Sequence, residues 1–411
     1  MYDVIIIGAG AAGLMAAVSA TANGFKVLVL EKMAYAGKKM LITGKGRCNI
    51  TNACDYQEFI KNIPVNGRFF NSSFSRFSNH DTVEWFNNQG LPTKVERGMR
   101  VFPESDKAMD VRDTLVKYIL RQGGRIEYNT SVKELLTTDG GITGVRLFSG
   151  KTIAAPRVIV ATGGASYRTT GSDGYGYQLA ESVGHTVEQI YPALVPLNCE
   201  FAYKDELQGL SLKNVKAKLF NNNKLVAEEF GEMLFAHFGL TGPIILSLSG
   251  AAAKLLQTAG NKPEIVLDLK PALDPKQLKA RLDRELEANT KKQLGVVLRT
   301  MLPSSIINTV LDAAFVEPTK QSSQLTKQER QSLLTTIKHL PFAIEGTRDI
   351  NEAIVTAGGI RVKEINPKTM QSKLVKGLYF AGEIIDISAY TGGFNLQIAF
   401  STGYAAGLLQ E

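Results

Sequence analysis

Residues 2–13 read Tyr2-Asp3-Val4-Ile5-Ile6-Ile7-Gly8-Ala9-Gly10-Ala11-Ala12-Gly13, an apolar strand running directly into Gly-x-Gly-x-x-Gly. Each glycine has its own physical task. Gly8 makes a tight turn, Gly10 lets the backbone approach a pyrophosphate, and Gly13 lets the following helix pack closely on the strand. With no side chains in the way, the N-terminus of that helix can offer its free N–H groups to an anion. Residues 11–22 are rich in Ala with Leu14 and Met15, and Lys26-Val27-Leu28-Val29-Leu30 repeats the buried-strand pattern before Glu31. An acid in that place suits the ribose hydroxyls of a dinucleotide and disfavours a 2′-phosphate. A dinucleotide site is therefore expected at the N-terminus. The competing reading is a tight turn in an α/β protein that holds no cofactor, and the complete β-α-β context disfavours it.

At 411 residues the chain exceeds what one hydrophobic core usually serves, so two or three domains are expected. Hydrophobic residues at 44% and charged residues at 21% describe an ordinary globular protein rather than a disordered one. The first residues lack the basic region and apolar core of a signal peptide, which points to a cytoplasmic setting. The apolar stretch 244–256 contains Ser247, Ser249 and Lys254 and falls short of a bilayer span. Cys48, Cys54 and Cys199 show no paired zinc spacing and the four histidines are scattered, so no metal site is expected. The net charge of +8 permits a polyanionic partner without requiring one.

A second cofactor-like signal is Arg157-Val158-Ile159-Val160-Ala161-Thr162-Gly163-Gly164, an apolar strand ending in small residues that admit a ligand, and it is expected to return to the first sheet. Between the two signals, 125–132 and 144–147 read as strands and 106–122 as a helix. After His185 the character changes: Pro192 and Pro196 break the chain, and 213–220 alternates apolar and polar residues before Asn221-Asn222-Asn223. Asp274-Pro275 supplies an N-cap and a first-turn proline for a helix carrying Leu278, Leu282 and Leu286 on one face. Thr326-x-x-Glu329 is a capping box before Leu333 and Leu334, and the polar stretch 318–324 reads as a linker. Residues 377–383 then resume a buried strand, followed by Gly392-Gly393 and a helix through Ala399 and Gly403.

With these segments in order, the chain resembles the HI0933-like flavoproteins, within the group that carries two dinucleotide-binding motifs. The resemblance spans nearly the whole length. It rests on residues 37–52 (Gly-Lys-Lys-Met-Leu-Ile-Thr-Gly-Lys-Gly-Arg-Cys-Asn-Ile-Thr-Asn), on 161–164, on Gly239-Leu240-Thr241-Gly242-Pro243, and on 377–383 with Gly392-Gly393-Phe394-Asn395-Leu396-Gln397. The resemblance implies a Rossmann-like α/β FAD-binding fold, and the breaks in the sequence place that domain in two parts, 1–190 and 345–411, with an inserted β-rich lobe at 191–270 and a small helical lobe at 271–344. It implies FAD held by Gly8, Gly10, Ala11, Ala12, Gly13, Glu31 and Lys32 at the ADP half, with Val132 near adenine. Lys39, Thr43, Gly44, Arg47, Ala161, Thr162, Gly163, Gly382 and Glu383 would contact the rest of the cofactor. Gly393, Asn395 and Leu396, at a helix N-terminus, would face the electron-rich edge of reduced flavin, where a positive helix end favours the anionic form. The alternative for Gly392-Gly393 is a mere turn. The chain departs from the family's pattern at Lys45, where Gly is usual, at Lys38 for Arg and at Phe394 for Tyr.

The resemblance implies an oxidoreductase whose flavin carries the hydride chemistry. Cys48, flanked by Arg47 and Asn49 in a loop placed near the flavin, is the candidate nucleophile or proton donor, because a neighbouring cation lowers a thiol pKa. The other reading makes Cys48 a packing residue and leaves Arg47 to the cofactor's oxygens. No second strand with Gly-x-Gly-x-x-Gly follows, so NAD(P)H, as reductant, would visit the flavin transiently. His185, His237 and His339 are acid/base candidates, though a lone histidine is more often structural. Basic residues of the helical lobe, Lys291 and Lys292 among them, read either as a solvated face, with Lys279–Asp283 and Arg281–Glu285 spaced for pairing, or as a footprint for RNA phosphates. Three functions stay open: a carbon–carbon double-bond reductase acting on uridine of ribosomal RNA, a reductase of a small enone, and a flavin-binding regulatory protein.

Overall fold

The computed structural model describes residues 1–201 and 204–410 and divides the chain into two compact units, Met1–Pro192 with Ile350–Glu411, and Ala193–Asp349. The first is built on a five-stranded parallel sheet. Its order is Leu378–Phe380, Val158–Val160, Val4–Ile7, Val27–Leu30 and Arg125–Glu127, so both sequence signals return to one sheet as expected. All four residues of Val4–Ile7 and of Val27–Leu30 are buried, which is why these strands read as unbroken apolar runs rather than alternating ones. Strand order reverses between Val4–Ile7 and Val158–Val160, and in such sheets ligands bind beyond the carboxyl ends of the strands at that reversal.

The helix Ala11–Ala22 is buried along almost its whole length, and Phe394–Gly407 crosses it. Gly403 allows that crossing, because a Cβ there would stand 2.3 Å from the Ala12 carbonyl oxygen. The span read as one strand at 125–132 is divided. Arg125–Glu127 ends the parallel sheet, and Val132–Thr138 starts an antiparallel meander with Gly141–Leu147 and Thr152–Ala154.

The second unit is a closed six-stranded barrel with helices. Its strands run Leu197–Cys199, Gly239–Thr241, Lys224–Ala236, Ser211–Asn221, Pro263–Asp268 and Leu340–Thr347, and the last closes on the first. This corrects the sequence reading of separate lobes at 191–270 and 271–344. The closing strand Leu340–Thr347 follows the helices in the chain, so barrel and helices share one core, and the unit ends at 349 rather than 344. Asp274 caps Pro275–Ala288 in a full capping box, and Leu278, Leu282 and Leu286 are buried on one face, each contributing about 2 kcal/mol by leaving water. Thr326 and Glu329 form the second expected box. The stretch 318–324 is more than a linker: Lys320 accepts from the Leu294 N–H, and Ser322 donates to the Lys292 carbonyl. Among the described residues no helix is long and apolar enough to cross a membrane.

Candidate functional site

In the first unit a cavity of about 420 Å3 opens at the point where strand order reverses, lined by residues 7–12 and 161–163. The three glycines divide their work there. Gly8 adopts φ +100°, and a Cβ on it would stand 2.6 Å from the Ala161 carbonyl oxygen; a Cβ on Gly13 would stand 1.9 Å from the Gly8 carbonyl oxygen. Both therefore seat the helix on the sheet, and Gly13 lies behind the cavity wall. Gly10 differs: nothing lies within 4 Å of a Cβ placed on it, and the open space is the cavity itself.

Two helix N-termini meet this one cavity. Ala11–Ala22 starts at Gly10 and Phe394–Gly407 at Gly393, and neither has a side-chain cap or an acid in its first turn. The unpaired N–H groups of both first turns are thus left for a ligand, and both positive helix ends favour negative charge. The Asn395 side chain does not cap; it clamps the preceding loop, donating to the Ala389 and Tyr390 carbonyls at 2.9 and 3.2 Å and accepting from the Ala389 N–H at 3.0 Å. Glu31, 8% exposed, accepts from the Ala9 N–H at 2.7 Å and the Met33 N–H at 2.8 Å. Each carboxylate oxygen keeps acceptor capacity for a sugar hydroxyl.

Lys32, paired with Asp173 at 2.7 Å, also lines the cavity, as do Val132, Thr43, Gly44, Asn49 and Leu396. Lys39 donates to both oxygens of Glu383 at 2.7 and 3.0 Å and to Ser166 at 2.8 Å. Glu383 also accepts from the Thr356 N–H at 2.7 Å, so one carboxylate ties together three distant segments. Gly382 lies behind: its N–H donates to Thr402, and a Cβ on it would meet Ala12 at 2.6 Å, so of the expected pair Glu383 alone reaches the cavity.

Around the same walls, Asn49 Oδ1, Thr162 Oγ1 and Ser172 Oγ are buried with no partner in the protein. Buried polar atoms without partners are costly, and a bound ligand that hydrogen-bonds them removes the cost. Open space at Gly10, two uncapped helix ends, an acid for the ribose and orphaned polar atoms fit a bound FAD. Among the residues not foreseen in the sequence, Ser172, Asp173, Ser166 and Thr356 carry the most chemistry, and no local spacing marks them.

The structure favours the packing reading of Cys48 and sets Arg47 apart from the cavity. Arg47 turns away from the cavity: its guanidinium makes two bonds to Glu96, at 2.8 and 3.1 Å, and one to Asp106 at 3.1 Å, and lies 4.0 Å from the centre of the Phe102 ring. With two carboxylates in reach it serves as a strut for the 43–49 loop. Cys48 is fully buried and outside the cavity wall, and burial pushes its thiol up to about 12, the opposite of an activated thiolate. The folded protein is expected to leave Cys48 and Cys199 unlabelled by iodoacetamide at pH 8, as read by mass spectrometry. Ready labelling of Cys48 would restore the nucleophile reading. Cys48→Ala is expected to keep both flavin and turnover, and loss of turnover with flavin retained would contradict that.

Lys45, where the family's pattern has Gly, lies in the same loop. Gly44, Lys45 and Gly46 all adopt positive φ, 59° for Lys45, a conformation that glycine takes more cheaply. Lys45→Gly is expected to raise stability by about 0.5 kcal/mol, read from thermal unfolding; a fall in stability would show that the lysine makes a compensating contact. The histidines lie outside the cavity. His185 is buried, with its ring nitrogens 3.1 Å from Glu364 and 2.7 Å from Ser372, and burial pushes its pKa down, so it is structural; His237 and His339 are exposed. Lys279 pairs with Asp283 at 2.5 Å as its spacing suggests, whereas Arg281 turns to the Thr300 carbonyl instead of Glu285.

The HI0933-like protein Rossmann domain model matches residues 2–409. The chain belongs to the HI0933-like family. It is 33% identical to the 3-dehydro-bile acid delta(4,6)-reductase of Clostridium scindens over 99% of this chain and 98% of that one. It is 30% identical to the ribosomal RNA dihydrouridine synthase of Escherichia coli over 98% and 96%. The solved structure of 3-ketosteroid delta1-dehydrogenase from Sterolibacterium denitrificans shares the fold, with a TM-score of 0.53 at 13% identity over 99% of this chain and 98% of that one. The HI0933-like chain is an FAD-dependent oxidoreductase.

Proposed function

We propose that this protein uses NAD(P)H to reduce a carbon–carbon double bond conjugated to a carbonyl, with uridine in ribosomal RNA as the substrate. The observation that carries the reaction class is the agreement of two full-length relatives. Their names give them unlike substrates, a bile acid and ribosomal RNA, yet both name the saturation of a double bond. Making dihydrouridine saturates C5=C6 of uracil, which is conjugated to the C4 carbonyl, so the two reactions are one in electronic terms.

FAD, when bound, supplies hydride transfer between a nicotinamide donor and that double bond. This chain's contribution is placement. The N–H groups after Gly10 hold the pyrophosphate and Glu31 the ribose, as Lys39 and Glu383 brace the cavity between them. The N–H groups after Gly393 stabilise negative charge at the other helix end. Asn49, Thr162 and Ser172 offer the unused polar atoms. The net charge of +8 is compatible with a polyanionic substrate.

The second reading, a small-molecule enone reductase, is favoured by the 33% identity to the bile acid enzyme. The test is turnover by the purified holoprotein with NAD(P)H, on unmodified ribosomal RNA transcript and on a 3-keto-4-ene steroid in parallel. Dihydrouridine formed in the RNA supports the proposal. Oxidation of NAD(P)H with the steroid alone replaces it with the second reading.

A further inference from the structure

The wall of the FAD cavity near Glu31 carries Phe148, an aromatic residue that is 60% exposed. An exposed phenylalanine leaves apolar surface in water, and a flat ligand that covers the ring recovers the loss. The backbone fixes where the ring stands. The Phe148 N–H donates to the Ser131 carbonyl at 3.1 Å, and the Gly150 N–H donates to the Leu147 carbonyl at 2.9 Å, so the ring is held at a tight turn that ends the strand Gly141–Leu147. One residue before Ser131, the Thr130 N–H donates to the Glu31 carbonyl at 2.9 Å. A single short segment thus ties Phe148 to the acid that receives the ribose.

Tyr175, which also lines the cavity, backs this ring. The two ring centroids are 5.7 Å apart with their planes at 48°, and the Tyr175 hydroxyl donates to the Lys133 carbonyl at 2.8 Å. The Tyr175 N–H donates to Asp173 at 3.1 Å, and Asp173 pairs with Lys32, the residue after Glu31, at 2.7 Å. Both rings are therefore anchored around the ribose acid from two different segments. They already touch each other, so a ligand ring meets the free side of Phe148 rather than a slot between the two. With the pyrophosphate at Gly10 and the ribose at Glu31, the group attached to that ribose is the adenine base.

We propose that Phe148 is the platform on which the adenine of FAD stacks, with Tyr175 holding the ring in place from behind. Stacking on an aromatic face grips a base through its π surface and needs no hydrogen bond to it. The assignment rests on FAD lying in this cavity and holds whichever substrate is reduced.

The test compares Phe148→Ala and Phe148→Trp with the wild type as full-length holoproteins, and reads the FAD dissociation constant from the flavin released on serial dilution. The Ala variant is expected to bind FAD on the order of tenfold more weakly, and the Trp variant, which keeps a flat aromatic face, to stay within a few-fold of wild type. The visible flavin spectrum of each loaded variant is expected to match wild type, because the contact is with adenine and not with the isoalloxazine. The melting temperature of the flavin-stripped Ala variant is also expected to match, since most of the side chain lies outside the core. If it falls, Phe148→Leu, which keeps the apolar bulk without the flat face, takes the place of Ala and is expected to weaken FAD binding in the same way. Three results overturn the proposal: unchanged FAD affinity without the aromatic ring, equal weakening in the Trp variant, or a shifted flavin spectrum, which would put the ring beside the isoalloxazine. Gly10→Val separates this failure from a wrong placement of FAD: if that variant loses its flavin while Phe148→Ala binds FAD as wild type does, the cofactor's placement stands and the platform falls.

Discussion

Replacing Gly10 with Val is expected to give a folded, colourless protein. Gly10 sits at φ −77° and ψ −173°, an extended conformation that valine adopts without strain, and no atom lies within 4 Å of a Cβ placed there. The substitution therefore costs the empty fold little. What it removes is the space through which a pyrophosphate reaches the N–H groups of the helix that begins at Ala11. Flavin absorbance after gentle purification is expected to disappear, and melting is expected to match that of wild-type protein stripped of FAD rather than that of the holoprotein, since bound ligand adds stability by mass action. Full flavin occupancy in this variant would contradict the placement of FAD in the cavity.

Gly13→Val is expected to fail earlier, at folding. A Cβ at position 13 would stand 1.9 Å from the Gly8 carbonyl oxygen and 3.4 Å from Ala161 Cβ. The nearest obstacle is backbone at the end of a buried strand, so no side-chain rotation relieves it, and the helix Ala11–Ala22 must lift off the sheet. A loss of about 3 kcal/mol or more is expected, the upper end of overpacking effects. The measurement is soluble yield together with thermal unfolding. A variant with wild-type stability would show that the helix does not pack as described. Two glycines three residues apart in one motif thus separate a binding defect from a folding defect.

Their distinct roles were legible in the sequence because the strand, turn, helix and acid lie within about thirty residues, where local pattern and tertiary arrangement coincide. The capping boxes at Asp274 and Thr326 were legible for the same reason. Barrel closure was not, because Leu197–Cys199 and its partner Leu340–Thr347 are separated by the whole helical segment, and no short-range signal distinguishes a closing strand from the start of another domain. The brace at Glu383 was only half visible. The resemblance marks the residue, but its donors Lys39 and Thr356 come from two other parts of the chain.

Arg47 and Cys48 show the same limit in the other direction. Adjacency in sequence suggested a cation activating a thiol, whereas Glu96 and Asp106, brought in by tertiary structure, draw the guanidinium away, and burial raises the thiol instead. The interactions of Arg47 also carry a pH sign. The arginine holds Glu96 below the usual carboxylate range, and Lys94 with Arg47 does the same for Asp106. The strut is therefore complete above the ordinary carboxylate pKa and weakens as pH falls through the depressed values.

We propose that the cavity at the strand-order reversal serves the reduction of uridine in ribosomal RNA, and the dihydrouridine content of ribosomal RNA from a strain lacking this gene tests this. The purified large- and small-subunit RNAs, digested to nucleosides and measured by mass spectrometry, are expected to lose dihydrouridine relative to the parent strain. The wild-type gene is expected to restore it and the Gly10→Val gene is not. Dihydrouridine unchanged by the deletion, or restored by a variant that holds no flavin, would contradict the account.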